Sequence, residues 1–151
     1  MTITKRADKG STLTHNELDA NFTHLEKKFT VTNSGSGAYV FSGAGTSSDS
    51  NPDLYLVRGE TYTFSVNASG HPFYINTASG TGTGNAYSDG TSNNGVEVGT
   101  IELTVQQDAP ETLYYNCQYH SSMAGTIYVV KPSTTAAASL DDATALAIAL
   151  G

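Results

Sequence analysis

Three side chains with metal-binding chemistry fall in one tight loop between two runs that alternate as strands. Residues 113–116 lead in, residues 126–129 lead out, and Cys117, His120 and Met123 stand between them. Upstream, the turn-like Ser69-Gly70-His71-Pro72 offers a second imidazole at His71. Two histidines, one cysteine and one methionine form a recognisable donor set. Two nitrogens and a thiolate bind copper in a trigonal plane, with a weak thioether on the axis. The spacing suits that task, because one short loop can turn three donors towards one point. The fourth donor must then come from another strand, which ties the loop to the rest of the domain. Cys117 is the only cysteine, so a disulfide within the chain is excluded. Zinc would recruit more cysteine, histidine or carboxylate and would not use a thioether.

The flanking sequence reads as strands. Residues 29–32 and 38–41 alternate around Ser34-Gly35-Ser36-Gly37. Residues 42–52 read as a Gly/Ser/Asp loop closed by Asn51-Pro52. Residues 53–57 and 60–66 follow, and Tyr62, Phe64 and Val66 share the face expected to meet the core. Phe73 and Ile75 continue the pattern after His71. Residues 76–95 are nearly free of large apolar side chains apart from Tyr87. So long a loop is functional or mobile, and its place predicts a wall for the metal site or a partner contact. Asp89, Asn93, Asn94 and Glu97 do not match a calcium-loop spacing and read as a polar turn. Residues 96–105 read as a long strand with a bulge at Gly99-Thr100, where the alternation slips. About seven or eight short strands separated by turn signals are the pattern of a β-sandwich.

Taken together, residues 53–131 resemble the cupredoxins, in particular the plastocyanin and amicyanin branch. The resemblance is carried by the strand 54–57, by Gly59-Glu60-Thr61-Tyr62-Thr63-Phe64, by His71, and by the loop ending Met123-Ala124-Gly125-Thr126-Ile127. It implies a Greek-key β-sandwich with copper held by His71, Cys117, His120 and Met123. A donor to the Cys117 sulfur and a partner for each free imidazole nitrogen are expected around such a site, with Asn67 or Asn116 as candidates.

Both ends extend beyond this domain. Thr14-His15-Asn16-Glu17 matches a capping box, and Leu18, Phe22, Leu25 and Phe29 follow in one helical stripe. This amphipathic helix must bury its stripe, on its own domain or on copies of itself. His15 and His24 read as polar surface residues. Residues 5–22, with Gly10-Ser11-Thr12-Leu13-Thr14 before Glu17-Leu18-Asp19-Ala20-Asn21-Phe22, resemble the start of tailed-phage virion structural proteins, including those of cyanophages. That resemblance implies an attachment module and a homo-oligomer. Residues 132–138 read as a linker, and Ser139 caps an expected short helical tail with Leu140, Ala143, Ala147 and Leu150 on one face. The expected organisation is an arm and helix at 1–29, a sandwich at 30–131, and a linker with docking tail at 132–151.

Charge limits the partners. Fourteen acidic residues against seven Lys plus Arg give a net charge of −7, which opposes a nucleic-acid partner. Lys5, Arg6, Lys9, Lys27 and Lys28 cluster before residue 30, as a basic arm or a solvated tail. No stretch has the length of a membrane span, and the N-terminus lacks a secretory signal. Two functions follow. The first is a phage virion structural protein, made in the host cytoplasm and bound to other virion proteins through 1–29 and 139–151, whose cupredoxin-like domain binds copper. The second is a soluble copper electron carrier. Catalysis is not expected, because four protein donors fill the copper shell and no nucleophile–base arrangement is visible.

Overall fold

The computed structural model describes residues 27–132. Ten strands follow in order: β1 (Lys28–Ser34), β2 (Ala38–Gly43), β3 (Thr46–Ser50), β4 (Leu54–Val57), β5 (Thr61–Asn67), β6 (Phe73–Asn76), β7 (Thr91–Ser92), β8 (Val98–Thr104), β9 (Thr112–Cys117) and β10 (Ala124–Val130). They form two sheets packed as an all-β sandwich. One sheet has the order β3-β2-β1-β5-β8-β7 and the other β4-β10-β9-β6. β1 runs parallel to β5, and β4 runs parallel to β10; the remaining pairs are antiparallel. No helix occurs among the described residues. Of the arm and helix expected at 1–29, residues 1–26 lie outside them, as do residues 133–151 of the linker and tail expected at 132–151.

The sandwich follows from period-two patterning. In β5, Tyr62, Phe64 and Val66 point inward, as their alternation predicts. In β9, Leu113, Tyr115 and Cys117 share the inward face, so the thiol enters the core in phase with its strand. Phe73 is the hub of the inter-sheet packing. Its ring centroid lies 5.0 Å from Tyr39, 5.6 Å from Tyr115, 5.8 Å from Phe64 and 6.0 Å from Phe41. Edge and offset contacts of this kind add to the apolar area they bury.

Three local expectations change. Residues 42–52 are not a loop throughout, since β3 pairs antiparallel with β2. β3 carries no apolar side chain and lies at a sheet edge, so it leaves no hydrophobic period to read. Its hairpin turn has both central residues, Ala44 (φ 45) and Gly45 (φ 92), in the left-handed region that tight hairpins favour. The bulge expected at Gly99-Thr100 is absent, because the β5–β8 register runs unbroken through both residues. The slip in alternation instead marks a change of sheet: Val96 bridges to Phe73, and Val98 enters the other sheet opposite Asn67. Phe29, the last member of the expected helical stripe, lies in β1, is buried, and stacks on Phe64 at 5.0 Å.

The strand directions define two poles. The turn at 34–37, Asn51, the turn before His71 and the loop from Cys117 to Met123 meet at one pole. The start of β1 and the end of β10 lie at the other. There Lys27 pairs with Glu60, and Arg58 N–H donates to the Val130 carbonyl (2.9 Å). The long segment after β6 is pinned rather than free. Asn94 Oδ1 accepts from Ile75 N (2.8 Å), while its Nδ2 donates to the Ile75 (2.8 Å) and Tyr87 (3.1 Å) carbonyls. The Asn94 amide therefore has its partners in the chain itself.

Candidate metal centre

His71 reaches the pole through a tight turn. His71 N–H donates to the Ala68 carbonyl (2.9 Å), and Gly70 at the third position has φ 81, the left-handed angle a type II turn requires there. The Glu97 carboxylate accepts from Gly70 N–H (2.9 Å), and its carbonyl accepts from Ala68 N–H (2.8 Å), so Glu97 grips both ends of the turn. Tyr39, from β2, donates its hydroxyl to the His71 carbonyl (2.9 Å). Burial, and then the neighbouring Cys117, push the Tyr39 hydroxyl far above the ordinary tyrosine range.

The second segment closes on itself. Cys117 N–H donates to the Met123 carbonyl (2.9 Å), and Met123 N–H donates to the His120 carbonyl (3.2 Å). Cys117 and Met123 are fully buried; His120 and His71 are half-buried. Gln118 joins this loop to its neighbours: its N–H donates to the Pro72 carbonyl (3.1 Å), and its carbonyl accepts from Gly82 N–H (2.9 Å). Gly82 thus ties the 76–95 segment to the loop that carries His120.

These two segments bring three donors together. His71 Nδ1 lies 3.1 Å from His120 Nδ1, Cys117 Sγ lies 3.5 Å from His120 Nδ1, and 3.9 Å from His71 Nδ1. They are the one cluster of potential metal donors among the described His, Cys, Asp and Glu residues. The circle through the three atoms has a radius of about 2 Å, calculated from those side lengths; imidazole and thiolate bonds to a metal such as zinc run about 2.0–2.1 and 2.3 Å. One ion therefore fits between them with a small outward shift of sulfur. Three donors facing one point, with the fourth residue, Met123, buried in the same loop, suit copper better than zinc's preference for four strong ligands. The donor set supports copper binding.

The surroundings differ in detail from expectation. The donor to the Cys117 sulfur is the main-chain N–H of Tyr119 (3.5 Å), not Asn67 or Asn116. Asn116 is buried and accepts from Asn76 Nδ2 (3.4 Å) instead. Neither imidazole Nε2 has a protein partner among the described residues. Tyr39, Asn51 and Glu97, which hold the two segments, were not visible as site residues. Tyr39 looked like an ordinary alternating core residue, Asn51 like a loop terminator and Glu97 like part of a polar turn.

The sandwich resembles several solved copper proteins. The chain is 19% identical to the copper protein rusticyanin with a TM-score of 0.46, covering 68% of this chain and 76% of that one. Against rusticyanin from Thiobacillus ferrooxidans the identity is 20% and the TM-score 0.41, over 68% of this chain and 76% of that one. Against a purple cupredoxin from Nitrosopumilus maritimus they are 17% and 0.42, over 68% and 98%. No protein-family model matches the chain, and no curated protein matches it.

Proposed function

We propose that this sandwich is a cupredoxin-type electron-transfer domain that would hold one copper ion through His71, Cys117 and His120, with Met123 as a weak fourth donor. The observation that carries this reading is the triangle of two Nδ1 atoms and one sulfur with sides of 3.1, 3.5 and 3.9 Å. When bound, copper supplies a one-electron couple between Cu(II) and Cu(I). The protein's part would be to hold the three donors at these separations. The Cys117 thiolate would be the strongest of the donors, and Tyr119 N–H, which donates to the sulfur (3.5 Å), would withdraw electron density from it. Burial keeps water from the sulfur, while the half-buried His71 and His120 lie between it and the surface. No catalysis is proposed, because four protein donors leave no strong open position for a substrate.

The virion-attachment role expected from residues 5–22 has its residues outside 27–132. No contact among the described residues favours it over electron transfer, and the same holds for binding partners at 139–151.

Copper(II) titration followed by visible absorption tests the reading, with Cys117→Ser as control and voltammetry of the loaded protein. The expected result is an intense thiolate-to-copper band, absent in Cys117→Ser, and a reversible one-electron wave. A colourless protein, or a band without reversible reduction, would refute electron transfer.

A further inference from the structure

The two donor-bearing segments are far apart in sequence, and their strands do not by themselves fix the loop that carries His120. One tie between them is the Gln118-to-Pro72 bond (3.1 Å). A second runs through a residue outside both segments. Asn51 sits after β3 with φ 45, a left-handed angle that asparagine tolerates better than most side chains. Its backbone N–H donates to the Tyr39 carbonyl (2.8 Å), and its Oδ1 accepts from Tyr39 N–H (2.9 Å). Its Nδ2 donates to the Ser122 carbonyl (2.9 Å) and, more weakly, to the Gly37 carbonyl (3.5 Å). The amide thus uses its acceptor and both donor hydrogens. Tyr39 continues the line by holding the His71 carbonyl (2.9 Å). Ser122 Oγ adds a contact from the same loop to the Ser36 carbonyl (2.8 Å).

We propose that Asn51 is a positioning residue for the metal centre. It ties the Ser122 carbonyl, between His120 and Met123, to the Tyr39 strand that holds His71, and so keeps the two imidazoles at one distance. The role of this tie towards copper rests on the electron-transfer reading; the tie itself does not. Asn51 touches no donor atom, so it acts through the loop.

Asn51→Asp is the informative variant. It keeps an oxygen for Tyr39 N–H and the left-handed backbone, but turns the arm facing Ser122 from a donor into an acceptor. Asn51→Gly removes the whole arm and preserves the backbone angle; Ser122→Ala removes only the hydroxyl. In metal-free protein, amide hydrogen exchange at Tyr119 and Met123 should quicken roughly tenfold in Asn51→Asp and Asn51→Gly, as loss of one hydrogen bond predicts. Core amides such as that of Phe64 should change less. In copper-loaded protein, release of copper(II) to a chelator should be about ten- to hundredfold faster, the usual effect of losing an outer support of a metal site. Exchange at Tyr119 and Met123 that matches wild type, or that rises only in step with the core amides, would overturn the proposal. If wild-type protein holds no copper, the electron-transfer reading fails, and the metal-free exchange still decides the role of Asn51.

Discussion

Phe73 and Cys117 are register partners across the β6–β9 ladder. This pairing helps to set the site. It places His71, two residues before Phe73, above the thiol, and lets the loop after Cys117 fold back to bring His120 alongside. Packing and chemistry meet at one rung, because Phe73 is also the aromatic hub between the sheets.

Phe73→Ala should therefore cost stability and metal affinity together. Removing a fully buried phenyl ring costs about 3–5 kcal/mol, read as a lower urea midpoint. The rung itself is backbone, so Phe73→Leu should keep the metal site while losing part of that stability. Equal copper affinity in wild type and Phe73→Ala would show that the register does not depend on the hub.

Met123→Ala should leave the thiolate-to-copper band in place and raise the reduction potential. Cu(I) tolerates three donors better than Cu(II), so losing a weak fourth donor favours the reduced state. A rise of about 59 mV or more corresponds to one decade in a one-electron equilibrium. Voltammetry of the loaded variant reads it directly; an unchanged potential would remove Met123 from the ligand set.

Copper should stabilise the fold by binding the native state. At free copper a thousandfold above the dissociation constant, the gain is about 4.1 kcal/mol. Urea unfolding with and without copper should show it in wild type and show little of it in Cys117→Ser.

Alkali should destabilise the domain through its buried tyrosines. Burial, then Cys117, raises the Tyr39 hydroxyl, and burial, then Asp53, raises that of Tyr115. Both therefore stay protonated in the folded state, whereas unfolded tyrosines ionise near about pH 10. Above that pH the unfolded state binds fewer protons than the native one, so stability falls as pH rises and is fully present below it. Each tyrosine contributes a slope of up to about 1.4 kcal/mol per pH unit. Tyr115→Phe, whose hydroxyl otherwise donates to the Pro52 carbonyl (2.7 Å), should reduce that slope by one proton's worth in urea titrations at several pH values.

The parts of this molecule legible in the sequence are those where side-chain type repeats with a period or carries metal chemistry. Tyr62, Phe64 and Val66 declared a core face, and Cys117, His120 and Met123 declared a donor loop. The polar edge strand β3 had no apolar period to betray it. The donor to the Cys117 sulfur is a main-chain N–H at Tyr119, which any residue except proline would supply, so no side chain could signal it. Asn51 acts through a left-handed backbone and two carbonyls from distant segments, a relation that exists only after folding. At Gly99-Thr100 the alternation slipped for a reason the sequence does not distinguish: the crossing between sheets just before, from Val96 to Val98, looks like a bulge when only the order of residues is known.

The two poles of the sandwich have a practical meaning. β1 begins and β10 ends at the pole opposite His120, near the Lys27–Glu60 pair and the Arg58–Val130 bond. Both covalent leads into the domain are therefore on its back. An electrode that captured the domain at this back face would therefore have to pass its electrons through the length of the sandwich, whereas one that met the imidazole-bearing pole would not.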